Sequence, residues 1–127
     1  MNVVDSSAWL SFFAGDKYAA LFVDVIADAD HLLVPSITIT EVFKSVLRQR
    51  DEESALTAIA HMRTGRVVAL AADIAIDAGK YGVLYKLPLA DSIIYATTRK
   101  HRATLWTQDS DFQGLPDVRL FGKTASR

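Results

Sequence analysis

Five carboxylates fall where acids could do chemistry together: Asp5, Glu41, Asp91, Asp109 and Asp111. Asp5 closes the short β-branched run "NVVD", and Asp109 and Asp111 stand one residue apart in "TQDSDF", with no Lys or Arg between them. Like charges gathered at a partly buried site repel at a cost of about several kcal/mol. A hard divalent cation removes that conflict. Mg²⁺ takes oxygen ligands, prefers an octahedron and keeps several waters, and a pair of such ions can activate a water and stabilise the leaving oxygen of a phosphodiester. Other chemistries find no support. There is no cysteine, and His31, His61 and His101 are scattered, so neither a zinc centre nor a paired-histidine nuclease is indicated. An EF-hand loop on "DSDFQG" fails because its twelfth position is Leu120 and Pro116 interrupts the helix that should follow. A phosphoaspartate receiver would need an acid after "VVAL", where Ala71 and Ala72 stand.

Whether the acids meet depends on the elements that carry them. Strands are expected at 2–5, 32–36, 67–70, 103–107 and 118–121, with helical patterns between them. "SAWLSFF" and "YAALFVDVIADA" have helical character. Over 37–50, Ile39, Val42, Phe43, Val46 and Leu47 share one helix face. The helix over 51–65 takes Asp51 as N-cap and Gly65 as its stop. The helix over 73–86 is weakened by Gly79 and Gly82, and Pro88 occupies the first position of the helix over 89–102. Strands alternating with helices imply an α/β domain with a short, mostly parallel central sheet covered on both faces. Ligands then bind beyond the carboxyl ends of the strands. Asp5 and Asp109 sit at that edge, and Glu41 opens the helix after strand two. Asp91 joins them if strand four is parallel.

Each acid also has a local role open to it. Asp5 could cap the helix starting at Ser6 or Ser7, and "TITE" reads as a capping box with Thr38 as N-cap and Glu41 at N3. Asp91 suits a helix start electrostatically. Asp109 and Asp111 could form an Asx-turn or cap a short helix holding Phe112. Convergence at one sheet edge is what favours a shared function, and a cap can also be a ligand.

The chain is 127 residues with half of them hydrophobic and a formal net charge of −1. That suits one domain spanning 1–127, with 122–127 as a flexible tail. No run is long and apolar enough for a bilayer and no signal peptide is evident, so a cytoplasmic protein without membrane association is expected. Bulk charge announces no nucleic acid; a local patch would be needed. Lys44 and Arg48, one and two turns beyond Glu41, are candidate RNA contacts, although each alone reads more simply as a solvated helix face. "RKHR" (99–102) ends a helix and suits its dipole, and Trp9, Phe12 and Phe13 read as core or dimer contacts.

"NVVDSS", Glu41 opening a helix, "LPLADSIIYATT" and "LWTQDSDF" together resemble the PIN-domain ribonucleases, and most closely the VapC toxins of bacterial and archaeal toxin–antitoxin pairs. The resemblance covers nearly the whole chain and lies in the ordered set of motifs. It implies a PIN-like three-layer α/β/α domain and a Mg²⁺- or Mn²⁺-dependent endoribonuclease. It also implies a homodimer, and a cognate VapB-type antitoxin whose C-terminal segment enters a groove of the toxin. Asp5, Glu41, Asp91 and Asp109 match the family's acidic quartet of catalytic and metal-holding residues. Asp111 matches an accessory acid, and Ser6 and Thr107 match hydroxyl positions that support the carboxylates. The alternative from another class is a non-catalytic PIN-like module that binds RNA or protein. A metal-dependent phosphatase on a different α/β fold is a third.

Overall fold

A computed structural model describes residues 1–121. Five parallel strands form one sheet: β1 (Asn2–Val4), β2 (Leu32–Pro35), β3 (Arg66–Val68), β4 (Thr104–Thr107) and β5 (Val118–Leu120), in the spatial order β3-β2-β1-β4-β5. Six helices surround it: α1 (Ser6–Ala14), α2 (Val23–Ala27), α3 (Ser36–Gln49), α4 (Glu52–Met62), α5 (Ala72–Tyr85) and α6 (Leu89–Lys100). The expected α/β architecture with a parallel sheet flanked by helices is the one observed. The expected tail at 122–127 lies outside the described residues. Among those residues no helix is long and apolar enough to cross a membrane.

Alternation along the central strands splits the core. Val4, Leu32 and Val34 pack on one face with Trp9, Phe22, Val42 and Met62; Val3, Leu33 and Leu105 pack on the other with Ile94, Tyr95 and Phe112. Strands buried on both faces read as continuous apolar runs, as "VV" of β1 and "LLVP" of β2 do. The strand order reverses at β1. The chain moves outward through β2 and β3, then returns to place β4 on β1's other side, which opens a crevice beyond the carboxyl ends of β1 and β4.

Several local expectations need correction. The capping box at "TITE" does not form. The strand runs straight into α3 with Pro35 at the N-cap, so Thr38 is already inside the helix, fully buried, donating its hydroxyl to the Pro35 carbonyl at 2.7 Å. Glu41 is therefore in the second turn and caps nothing. The face expected over 37–50 is shifted as well: Val42 is buried with Ile39 and Val46 packed beside it, whereas Leu47 is 44% exposed. Pro88 precedes α6 as its extended N-cap (ψ 159°) rather than entering it. "YAALFVDVIADA" divides into a 3-10 turn at Ala19–Leu21 and the short α2, since only Phe22, Val25 and Ile26 of that stretch reach the core.

Gly65 follows α4, as expected, but its main constraint is a close approach. A Cβ there would stand 3.0 Å from the Leu32 carbonyl oxygen and 3.1 Å from side-chain carbons of Leu32 and Val34. Backbone of a buried strand cannot give way cheaply. Gly65→Ala is expected to destabilise the fold by about 1–3 kcal/mol, read as a lower midpoint in urea unfolding with unchanged slope; a midpoint at or above wild type would show that β2 yields.

Candidate metal centre

The crevice between β1 and β4 collects the acids. Asp5 follows β1 directly and is the N-cap of α1, its Oδ1 accepting the Ala8 N–H at 3.1 Å. It is 2% exposed. The Ser7 hydroxyl donates to the same oxygen at 2.7 Å, and the Thr107 hydroxyl donates to Oδ2 at 2.7 Å. Even so, burial pushes the Asp5 carboxyl up to about 6; the three hydrogen bonds oppose that rise and the charge of Asp109 adds to it.

The chain leaving β4 is laid against Asp5 by its backbone. Thr107 accepts the Asp109 N–H at 2.9 Å while donating to Asp5, and Ser7 accepts the Gln108 N–H at 3.2 Å while donating to Asp5. Asp109 then caps the 3-10 turn Ser110–Phe112, accepting the Asp111 N–H at 2.9 Å, and Phe112 anchors that turn in the core. The local capping role and membership of the acidic group coexist in Asp5 and Asp109.

Asp91 arrives from the other side, third residue of α6. Because α6 ends just before β4, and β4 is parallel to β1, the start of α6 lies at the carboxyl edge. One carboxylate oxygen from each of Asp91, Asp109 and Asp111 falls within 4.8 Å of the others. Asp91 is pushed up to about 8, first by burial, then by the charge of Asp109, by a hydrogen bond shared with Asp111, and by the charges of Asp5 and Asp111. A half-buried carboxyl set beside further aspartates is harder to ionise than a free one. Glu41, half-buried on α3, accepts the Ser6 hydroxyl. Ser6 thus serves Glu41, and Thr107 serves Asp5.

An all-oxygen group of carboxylates, with no nitrogen or sulfur donor in it, fits a hard divalent cation. Asp91, Asp109 and Asp111 form the tight group, with Asp5 behind Asp109 and Glu41 reached through Ser6. Ser7 was not foreseen in the sequence. The signal lay in the doubled serine after Asp5: a hydroxyl at the second residue of a helix can fold back onto its N-cap. Lys44 and Arg48 are both exposed on α3. Beside the crevice a groove of about 1060 Å³ runs between α1, α3 and α4, with Leu10, Phe13 and Val46 among its apolar lining and Asp16, Asp51, Glu53 and Arg50 among its charges.

The family model described as "PIN domain" matches residues 3–118. No curated protein matches the chain. Among solved structures, the chain is similar to a toxin–antitoxin complex from Klebsiella pneumoniae, at 28% identity and a TM-score of 0.79, covering 94% of this chain and 96% of that one. It is also similar to VapC20 of Mycobacterium tuberculosis, described as a sarcin–ricin loop cleaving toxin (20% identity, TM-score 0.76, 93% and 97% covered). A third is VapBC2 from Rickettsia felis, bound to a DNA fragment from their promoter (13% identity, TM-score 0.74, 94% and 96% covered). The last two likenesses establish the fold alone.

The raised carboxyls make stability pH-dependent. A carboxyl whose folded-state pKa exceeds its unfolded value, near 3.8, holds its proton more tightly when folded, so its favourable contribution is complete at low pH and is lost as pH rises through the folded value. The metal-free protein is expected to lose stability as pH rises from about 4 through the values near 6 for Asp5 and 8 for Asp91. Asp91→Asn should flatten the upper part of that fall. Melting curves in chelator from pH 4 to 8.5 test this, and parallel pH profiles for the two proteins would refute it.

Proposed function

The chain belongs to the PIN domain family, and from that premise we propose that it is a Mg²⁺- or Mn²⁺-dependent endoribonuclease acting as the toxin of a VapBC-type toxin–antitoxin pair. The observation that carries the proposal is the convergence of Asp91, Asp109 and Asp111 within 4.8 Å at the sheet's switch point, held against Asp5 by backbone and hydroxyl links. Asp5, Glu41, Asp91 and Asp109 hold the metal. When bound, a divalent ion there supplies a lowered pKa for water and neutralises charge on the scissile phosphate. The residues of the chain do the rest. Thr107 and Ser6 orient Asp5 and Glu41 through their hydroxyls. Asp111, exposed and with a carboxylate oxygen within 4.8 Å of those of Asp91 and Asp109, supports Asp91 from the solvent side. Lys44 and Arg48 steer the RNA backbone towards Glu41.

The antitoxin segment is proposed to lie in the groove between α1, α3 and α4. Three acids against one arginine among the charged residues named there favour an amphipathic partner with a basic face. A homodimer is supported by the apolar outer side of the α5–α6 hairpin, where Ile76 is 63% exposed, Val83 84% and Leu89 79%; patches of that kind on a soluble domain mark interaction sites.

The proposal is open to direct test. Purified protein should cleave RNA only with Mg²⁺ or Mn²⁺. Glu41→Gln, which keeps an acceptor for Ser6 and disturbs no cap, should fold normally and lose most cleavage. In single-turnover assays Asp111→Asn should lose about ten- to a hundred-fold and Asp109→Asn more. Metal-independent binding without cleavage would favour the non-catalytic module, and a larger loss for Asp111→Asn would exchange the two roles. For the substrate path, Lys44→Ala should make the log–log salt dependence of RNA binding shallower by about 0.7; an unchanged slope would place Lys44 off that path.

A further inference from the structure

We infer that Ser7 is a positioning residue that leaves Asp5 a single open acceptor direction, on Oδ2, and fixes Asp5 against the segment that carries Asp109; the inference rests on the metal-dependent reading above. A carboxylate offers about four acceptor directions, two on each oxygen. Both directions of Asp5 Oδ1 are used, by the Ala8 N–H at 3.1 Å and the Ser7 hydroxyl at 2.7 Å. On Oδ2 the Thr107 hydroxyl takes one direction. The remaining capacity is a single direction on Oδ2, the oxygen hydrogen-bonded from the β4 side, where Asp109 follows. A cation held by Asp5 meets one oxygen there.

Ser7 and Thr107 act as a crossed pair. Thr107 belongs to β4, donates to Oδ2 and accepts the Asp109 N–H. Ser7 belongs to α1, donates to Oδ1 and accepts the Gln108 N–H at 3.2 Å. Consecutive peptide groups of the segment leaving β4 are thereby pinned to opposite oxygens of one buried carboxylate. Without the Ser7 hydroxyl, Oδ1 recovers an acceptor direction, the carboxylate can turn about its Cβ–Cγ bond, and the Gln108 peptide loses this acceptor. The Asp5–Asp109 separation is then no longer set from both sides. Ser7 need not touch substrate or metal to do this.

The test uses the full chain and Mn²⁺ as probe, with binding read by electron paramagnetic resonance of the free ion and cleavage by single-turnover kinetics. Ser7→Ala should weaken Mn²⁺ binding by about ten- to a hundred-fold, the loss typical of groups that orient metal ligands. Its KM for RNA should be unchanged at saturating Mn²⁺. Ser7→Thr, which keeps the hydroxyl, should bind Mn²⁺ close to wild type. A Ser7→Ala protein that binds Mn²⁺ like wild type, that fails to fold, or that is not rescued by Thr overturns the inference. Wild type that binds Mn²⁺ but does not cleave RNA would refute the nuclease proposal while leaving the Ser7 comparison decisive. Wild type that does not bind Mn²⁺ overturns both.

Discussion

A carboxylate buried as deeply as Asp5 is costly to keep charged, and the architecture around it follows from that cost. Burial opposes ionisation, and three donors, the Ala8 N–H and the Ser7 and Thr107 hydroxyls, oppose burial. Each donor also has a structural place. The Ala8 N–H is one of the unpaired groups of a helix N-terminus, which would need an acceptor in any case. The hydroxyls belong to α1 and to β4, so satisfying one acid joins the first helix to the fourth strand across the point where the sheet's order reverses. Asp5 is at once the cap of α1 and the latch on β4.

The same economy extends outward. Asp109 caps the 3-10 turn that delivers Asp111, and Phe112 holds that turn by burying its ring against Tyr95 on α6. Tyr95 lies one helical turn beyond Asp91 and donates its hydroxyl to the Pro116 carbonyl, with Arg99 bonded to both Tyr95 and Asp117. The helix that carries Asp91 is thus clamped to the loop that follows Asp111. Repulsion within the acidic group is borne by apolar contacts and hydrogen bonds one layer further in, where no charge has to be moved.

Asp5, Asp91 and Asp109 could be read in the sequence because each ends or opens an element, and the parallel βαβ rule then assigns them to one edge; Glu41 was placed at a helix start that the structure moves one turn back. The strands were legible because central strands buried on both faces leave uninterrupted apolar runs. What the sequence hid was register within α3. A threonine and a glutamate three residues apart imitate a cap, but the preceding strand runs directly into the helix and makes Thr38 its third residue. The burial of Thr38 is a tertiary fact with no local sign. Ser7 was hidden for a related reason. Ser6 and Ser7 are adjacent and chemically identical, and only the helix geometry sends one to Glu41 and the other back to Asp5. Gly65 was placed correctly as a residue after a helix, yet its constraint comes from Leu32 and Val34, thirty residues away in sequence.

Burial and the charges of Asp109, Asp5 and Asp111 make Asp91 hold its proton, so a cation bound there, as proposed, would compete with that proton. On the metal-dependent reading, affinity would rise with pH as Asp91 gives up its proton. Over the same range the metal-free fold weakens. The two dependences have one origin, the repulsion that the proton relieves in one state and the cation in the other. On the proposed reading, the acids are held together before a ligand arrives, a form of preorganisation that leaves less rearrangement to accompany binding.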